Sequence, residues 1–181
     1  VSFTGLLVKN MQDEALRQLE TDVNVLQYTL ESKKAESISD AQVIAQNTQV
    51  IAAVGDKSRK ILSDVAQEFL LTKKVSNVII LGESGQVLAR GEDRDRVGDS
   101  LSDDPLVKRA LLGETGASII SRDGVTAPGI FVRAATPIKD GTAIVGAVLT
   151  GTAIDAAYVD GIKAATGLES SIYGDAIVSA T

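Results

Sequence analysis

One side chain sets the chemical question. Arg133 is the lone charge inside the apolar run Ile130–Ala135, within the stretch Gly129–Gly151, GIFVRAATPIKDGTAIVGAVLTG. Burying an unpaired charge is costly. Arg133 therefore faces either water or something anionic. A guanidinium offers a rigid planar fork that matches a carboxylate or a phosphate. The chemistry on offer is anion recognition. Strand alternation puts Phe131, Arg133, Ala135 and Pro137 on one face and Ile130, Val132, Ala134 and Ile138 on the other. The second set is the more apolar, so it is assigned to a covering helical layer, with Arg133 and Phe131 facing a pocket. The alternative is a salt bridge from Arg133 to one of the loop acids Asp93, Asp95, Asp99 or Asp103.

Further groups are candidates for the same cavity. Arg90 ends one short apolar run, and Ser121 with Arg122 ends another. Thr150 is expected near the strand of Arg133, offering a hydroxyl. For each of these the competing reading is a solvated strand end. The acids Glu92, Asp93, Asp95, Asp99, Asp103 and Asp104 invite a calcium reading, since Ca²⁺ takes six to eight oxygens. Their spacing does not match a helix-loop-helix calcium loop, and Arg90, Arg94 and Arg96 interleave. The preferred reading is a solvated loop, with no metal. GESGQVLARG lacks the Lys-Ser/Thr end of a phosphate-binding loop.

Composition removes several classes of function. The 181 residues contain no Cys and no His. Thiolate or imidazole zinc sites, thiol nucleophiles, His-based triads and covalently attached haem are thereby excluded. No cofactor is expected. Aromatics make up 3% with no Trp, and the net charge is −6. Stacking platforms and a basic face, the two needs of nucleic-acid binding, are both missing. No stretch of about 18 apolar residues exists to cross a membrane. The chain starts without Met and ends in the apolar AIVSAT. Both ends lead us to expect an excised piece of a longer protein.

The elements that position Arg133 follow from periodicity. Residues 1–74 are helical in pattern. Leu16, Leu19, Val23, Leu26 and Leu30 recur at 3-4-3-4 spacing, a heptad-like stripe. It packs either on the domain's own sheet or on a second copy in a homodimer. The first helix is expected to end near Ser32–Lys34. A second is expected over Ser39–Val54, capped by Ser39 or Asp40 and closed by Gly55. A third covers Lys57–Thr72, with Asp56 as its cap. The period changes at Val75. Strands are predicted at Val78–Leu81, Val87–Arg90 and Ala117–Ser121, followed by the two long ones on either side of Lys139-Asp140-Gly141. Asp104 caps a short helix with Pro105 at its first position. Asp155–Ala165 reads as helix and Leu168–Tyr173 as strand. The fold class is α+β: a long N-terminal helix and helical layer, then a mainly antiparallel five-stranded sheet. Three units result: helices over 1–74, the sheet over 75–152, and a helix and strand over 153–181.

The order VIILGESGQVLAR, RVGDSLSDDPLVKRALLGETG, FVRAATPIKDGTAIVGAVLTG after a long helix resembles the Cache family of PAS-like extracytoplasmic sensor domains. The matching features are Glu83/Gly85, Gly98, Pro137-Ile138-Lys139-Asp140 and Val145-Gly146. The tail from Tyr158 is similar to the opening of a second module in double-Cache sensors. The resemblance implies a periplasmic sensor domain of an inner-membrane histidine kinase or chemotaxis receptor, anchored by spans outside this fragment and itself not an enzyme. It implies a small-molecule ligand, often a carboxylate or amino acid, held between the sheet and the loop-helix after the second strand. Signal would leave through the N-terminal helix. Tyr occurs only at 28, 158 and 173, so the aromatic and acidic box of amino-acid binders is not evident. The other reading is a structural or dimerisation module without its own ligand.

Overall fold

The computed structural model describes residues 2–122 and 129–154, apart from the side chain of Arg122. Helix α1, Phe3–Ala45, has 43 residues, roughly 64 Å at 1.5 Å per residue. Ser2 caps it, its Oγ accepting from the Gly5 N–H at 3.2 Å. The expected break near Ser32–Lys34 does not occur. The stretch 31–45 is polar at its start but holds neither Gly nor Pro. The pairs Lys34–Glu31 at 3.4 Å and Lys33–Glu36 at 3.3 Å run along its surface, each a small stabilising term. The break comes instead at Asn47. Its Oδ1 accepts from the amides of Gln49 (2.9 Å) and Val50 (3.3 Å) and starts α2, Thr48–Gly55. Asp40 is no cap; it pairs with Lys73 at 3.3 Å. Asp56 ends α2 rather than opening α3, Arg59–Lys73, whose cap position is Ser58.

The sheet has five strands: β1 Asn77–Gly82, β2 Val87–Arg90, β3 Gly116–Arg122, β4 Gly129–Asp140 and β5 Ala143–Ile154. Their order is β2-β1-β5-β4-β3, and every pairing is antiparallel. Gly85 (φ 82°) and Gly141 (φ 63°) turn the two hairpins in the left-handed region that favours glycine. A short helix, α4, Pro105–Leu111, follows the loop after β2. The architecture is α+β and PAS-like, as the sequence implied.

Both faces of the sheet are covered, but unequally. On one face, Ala41, Ile44 and Ala45 of α1, Val50, Ala53 and Val54 of α2, and Leu62, Val65 and Ala66 of α3 pack on Val78, Ile80, Ala134, Ile138 and Val148. Leu30 extends this layer over Ile119, Ile130 and Val132, with Leu26 beside it. The apolar set of β4 thus faces the helical layer. On the other face, Leu106, Val107 and Ala110 of α4 cover Ile79, Leu81, Ala135, Ala147 and Leu149. The leucine stripe is divided in two. Leu30 is buried and Leu26 half-buried, whereas Leu16 and everything from Ser2 to Gln18 is exposed. Only the second half of α1 lies on the sheet. The expected helix at Asp155–Ala165, the strand at Leu168–Tyr173 and most of the loop before β4 lie outside the described residues.

Candidate functional site

The face covered by α4 carries the site. Pairing register puts Asn77 of β1, Gly151 of β5, Arg133 of β4 and Ser118 of β3 side by side in one row across four strands. Cross-strand partners project to the same face. The next row toward the helix, Ile79, Leu149 and Ala135, is buried apolar core under α4. The row beyond, Ala153, Phe131 and Ile120, is exposed or half-buried. The polar row therefore marks the rim of the α4 core. Gly151 has no side chain to fill the space above it. A Cβ there would stand 2.6 Å from Oδ1 and 2.8 Å from Nδ2 of Asn77. The Asn77 amide thus lies over Gly151, between its own strand and that of Arg133.

Arg133 has an ion-pair partner in this arrangement. Its Nη2 donates to Oδ2 of Asp104, and the two side chains are 18% and 17% exposed. Asp104 also caps α4, its Oδ1 accepting from the amides of Leu106 (3.0 Å) and Val107 (3.4 Å). One carboxylate thus ties the start of α4 to β4. In the sequence Asp104 stood out as a helix cap and as one acid of the loop, not as the partner of Arg133. A cap spends one carboxylate oxygen and leaves the second free, and that second oxygen was the available signal. Asn77 and Gly151 went unnoticed because a row across strands exists only once the register is known.

The other expected residues do not all converge. Phe131 shares the face of Arg133, one row out. Arg90 pairs with Ile79 and so lies on that face too, but three strands away, roughly 14 Å at the usual strand spacing. It is only 4% exposed and is held by a carboxylate and a carbonyl. Its Nη1 and Nη2 donate to the two carboxylate oxygens of Asp99 at 2.7 and 2.8 Å, and Nη1 donates to the Arg96 carbonyl at 2.7 Å. The hydrogen bond to Arg90 holds the Asp99 carboxyl down at about 2. The same bond, against the opposing effect of burial, raises the guanidinium pKa. This clamp fixes the loop after β2, which Arg94 also ties to Asp64 of α3. Ser121 pairs with Ile130, so it sits on the helical face, opposite Arg133. Thr150 pairs with Ala134 and Val78, and is likewise on the helical face. Its hydroxyl is buried and has no hydrogen-bond partner among the described residues. Arg122 ends β3 opposite Gly129. A separate hollow of about 320 Å³, lined by Gln42, Gln46, Thr115, Thr136 and Lys139 among others, opens where α1 ends. No group of acids able to hold a metal occurs among the described residues.

The sequence matches, over residues 12–180, the family described as the double sensory domain of two-component sensor kinases, and the chain belongs to that family. No curated protein matches it. Among solved structures, the sensor domain of the Vibrio cholerae histidine kinase DctB aligns with a TM-score of 0.61 at 12% identity, over 93% of this chain and 62% of that one. The Escherichia coli DcuS sensor domain aligns with a TM-score of 0.58 at 16% identity, over 78% of this chain and 99% of that one. The ligand-binding domain of the Campylobacter jejuni chemoreceptor Tlp3, in complex with L-valine, gives 0.56 at 9% identity, over 90% and 65%. The chain thus spans less than two thirds of the DctB and Tlp3 sensor domains. At these identities the likeness is one of fold. Among the described residues no helix is long and apolar enough to cross a membrane.

Proposed function

We propose that the chain is the extracytoplasmic, periplasmic sensing domain of an inner-membrane receptor, a histidine kinase or a chemoreceptor. It binds a small carboxylate-bearing ligand at Arg133. The observation that carries the reading is the row Asn77–Gly151–Arg133–Ser118 at the rim of the α4 core. It offers a guanidinium fork and a hydroxyl on either side of a carboxamide that lies over Gly151. Such a set is what a small anion needs: one charge-assisted anchor and a few orienting groups. Phe131 provides apolar surface next to the anchor, and Arg122 is a candidate second cation from the end of β3. The sensor kinases and chemoreceptors of like fold support the receptor reading, since one of them is seen with L-valine.

Transmission runs through α1. Its second half packs on β3, β4 and β5, the strands that carry the site. Its first half leaves Phe3, Leu6, Leu7, Met11 and Leu16 exposed. This free half is proposed to pair with a second copy, so that a change at the sheet alters the pairing of two α1 helices. The coupling required is modest, about 1–3 kcal/mol.

A second reading is favoured by one observation: Arg133 already has a carboxylate partner in Asp104. Under it, the domain is a structural and dimerisation module, and the pair only pins α4. A thermal-shift screen of the chain against small carboxylates, amino acids and divalent cations separates the two. A ligand at a hundred times its Kd adds about 2.7 kcal/mol. A carboxylate hit supports the sensing reading; a flat screen supports the module.

A further inference from the structure

Asp104 spends its two oxygens on different tasks. Oδ1 accepts from the Leu106 and Val107 amides at 3.0 and 3.4 Å, and Oδ2 accepts from Arg133. The amides hold the carboxylate in place whether or not Arg133 is present. Arg133 is therefore exchangeable: releasing it sacrifices one charge-assisted contact and leaves the helix cap intact. Both side chains are less than one-fifth exposed, so the attraction between them is only partly screened. The other acid that the loop aims at an arginine of this face, Asp99, is already held by Arg90.

We propose that Asp104 is an intramolecular competitor for the Arg133 fork, and that a carboxylate ligand binds by taking its place. This rests on the carboxylate reading given above. A second carboxylate on the same fork meets the negative charge of Asp104 at close range, and two carboxylates sharing one site repel. Ligand entry thus drives Oδ2 of Asp104 off Arg133. The start of α4 then loses its charged tie to β4 and keeps only the apolar contacts of Leu106, Val107 and Ala110. The competitor sets how much ligand is needed, and it turns occupancy of the row into a loosening of α4 from the sheet. Asp104 is in this sense a specificity-determining residue: it rejects weak anions that cannot outbid an internal carboxylate.

The test is Asp104→Asn in the full chain. Asn caps a helix as well as Asp, so the substitution removes the charge and keeps the cap, and far-ultraviolet circular dichroism checks that the fold is kept. Two readouts are compared with the wild type: phenylglyoxal labelling of the peptide containing Arg133, and calorimetric affinity for propionate and for succinate. The proposal expects faster labelling at Arg133 and affinity for at least one carboxylate raised about tenfold, equivalent to 1.4 kcal/mol. Unchanged labelling, or affinity that is equal or lower in the variant, overturns it. Faster labelling with no binding of either carboxylate by either protein instead removes the carboxylate reading, and the competition with it.

Discussion

Thr150→Val is expected to make this protein more stable. The Thr150 side chain is 1% exposed, and its hydroxyl has no partner among the described residues. It lies under the helical layer, beside Val78 and Ala134. A buried hydroxyl left unsatisfied carries a desolvation penalty of about 1–3 kcal/mol. Valine has nearly the same shape and adds about one methyl of apolar burial, roughly 0.8 kcal/mol if it packs without strain. Allowing for imperfect packing, the net gain is about 1–2 kcal/mol. For a chain of this size each kcal/mol moves Tm by about 2–4 °C, so a rise of about 4 °C is expected. The assay is urea and thermal unfolding followed by circular dichroism. Thr150→Ser serves as control: it keeps the hydroxyl, loses a methyl, and should destabilise by about 1 kcal/mol. Loss of stability in Thr150→Val, with an unchanged urea slope, would mean instead that the hydroxyl has a bond to lose.

Three further outcomes follow from the same structure. Arg90→Met should destabilise by about 2 kcal/mol, because a buried guanidinium with bonds to Asp99 and the Arg96 carbonyl is removed; an unchanged urea midpoint would show the clamp to be idle. Asp99 has a carboxyl lowered from 3.8 to about 2, so its contribution is fully present above the unfolded value and vanishes as pH falls through the folded one. The stability difference between wild type and Asp99→Asn should therefore be constant near neutrality and shrink between pH 3.8 and about 2; a difference that persists at the acid end would contradict the assignment. Finally, Leu30→Glu should destabilise the domain by more than 2 kcal/mol, whereas Leu16→Glu should leave unfolding unchanged and reduce any self-association seen in sedimentation. Equal destabilisation by both would mean that the first half of α1 is packed.

Alternation in β4 was enough to put Arg133 opposite the helical layer, because a strand with one apolar set declares its buried face. The hairpins at Gly85 and Gly141 were legible from their glycines. What the sequence hid was pairing. Thr150 and Ser121 were candidates for the cavity of Arg133, yet both lie on the other face, although Thr150 does pair with the strand of Arg133. A one-residue change of register flips a side chain across the sheet, and register is not written in either strand alone. Asn77 and Gly151 entered the site for the same reason. The long α1 was divided too early because the polar stretch after Leu30 looks like an end, although only Asn47 supplies real capping geometry. The partner of Arg133 was sought among Asp93, Asp95, Asp99 and Asp103, and was found in the neighbouring Asp104, already assigned to capping.

Everything proposed for this domain turns on Arg133 anchoring a carboxylate. Calorimetric titration of wild type, Arg133→Ala and Thr150→Val with whichever carboxylate gives the largest thermal shift decides it. Wild type and Thr150→Val should bind with equal affinity. Arg133→Ala should bind about tenfold to a hundredfold more weakly, the worth of one charge-assisted hydrogen bond or slightly more. Equal affinity in wild type and Arg133→Ala would contradict it, and would place the ligand elsewhere in the chain.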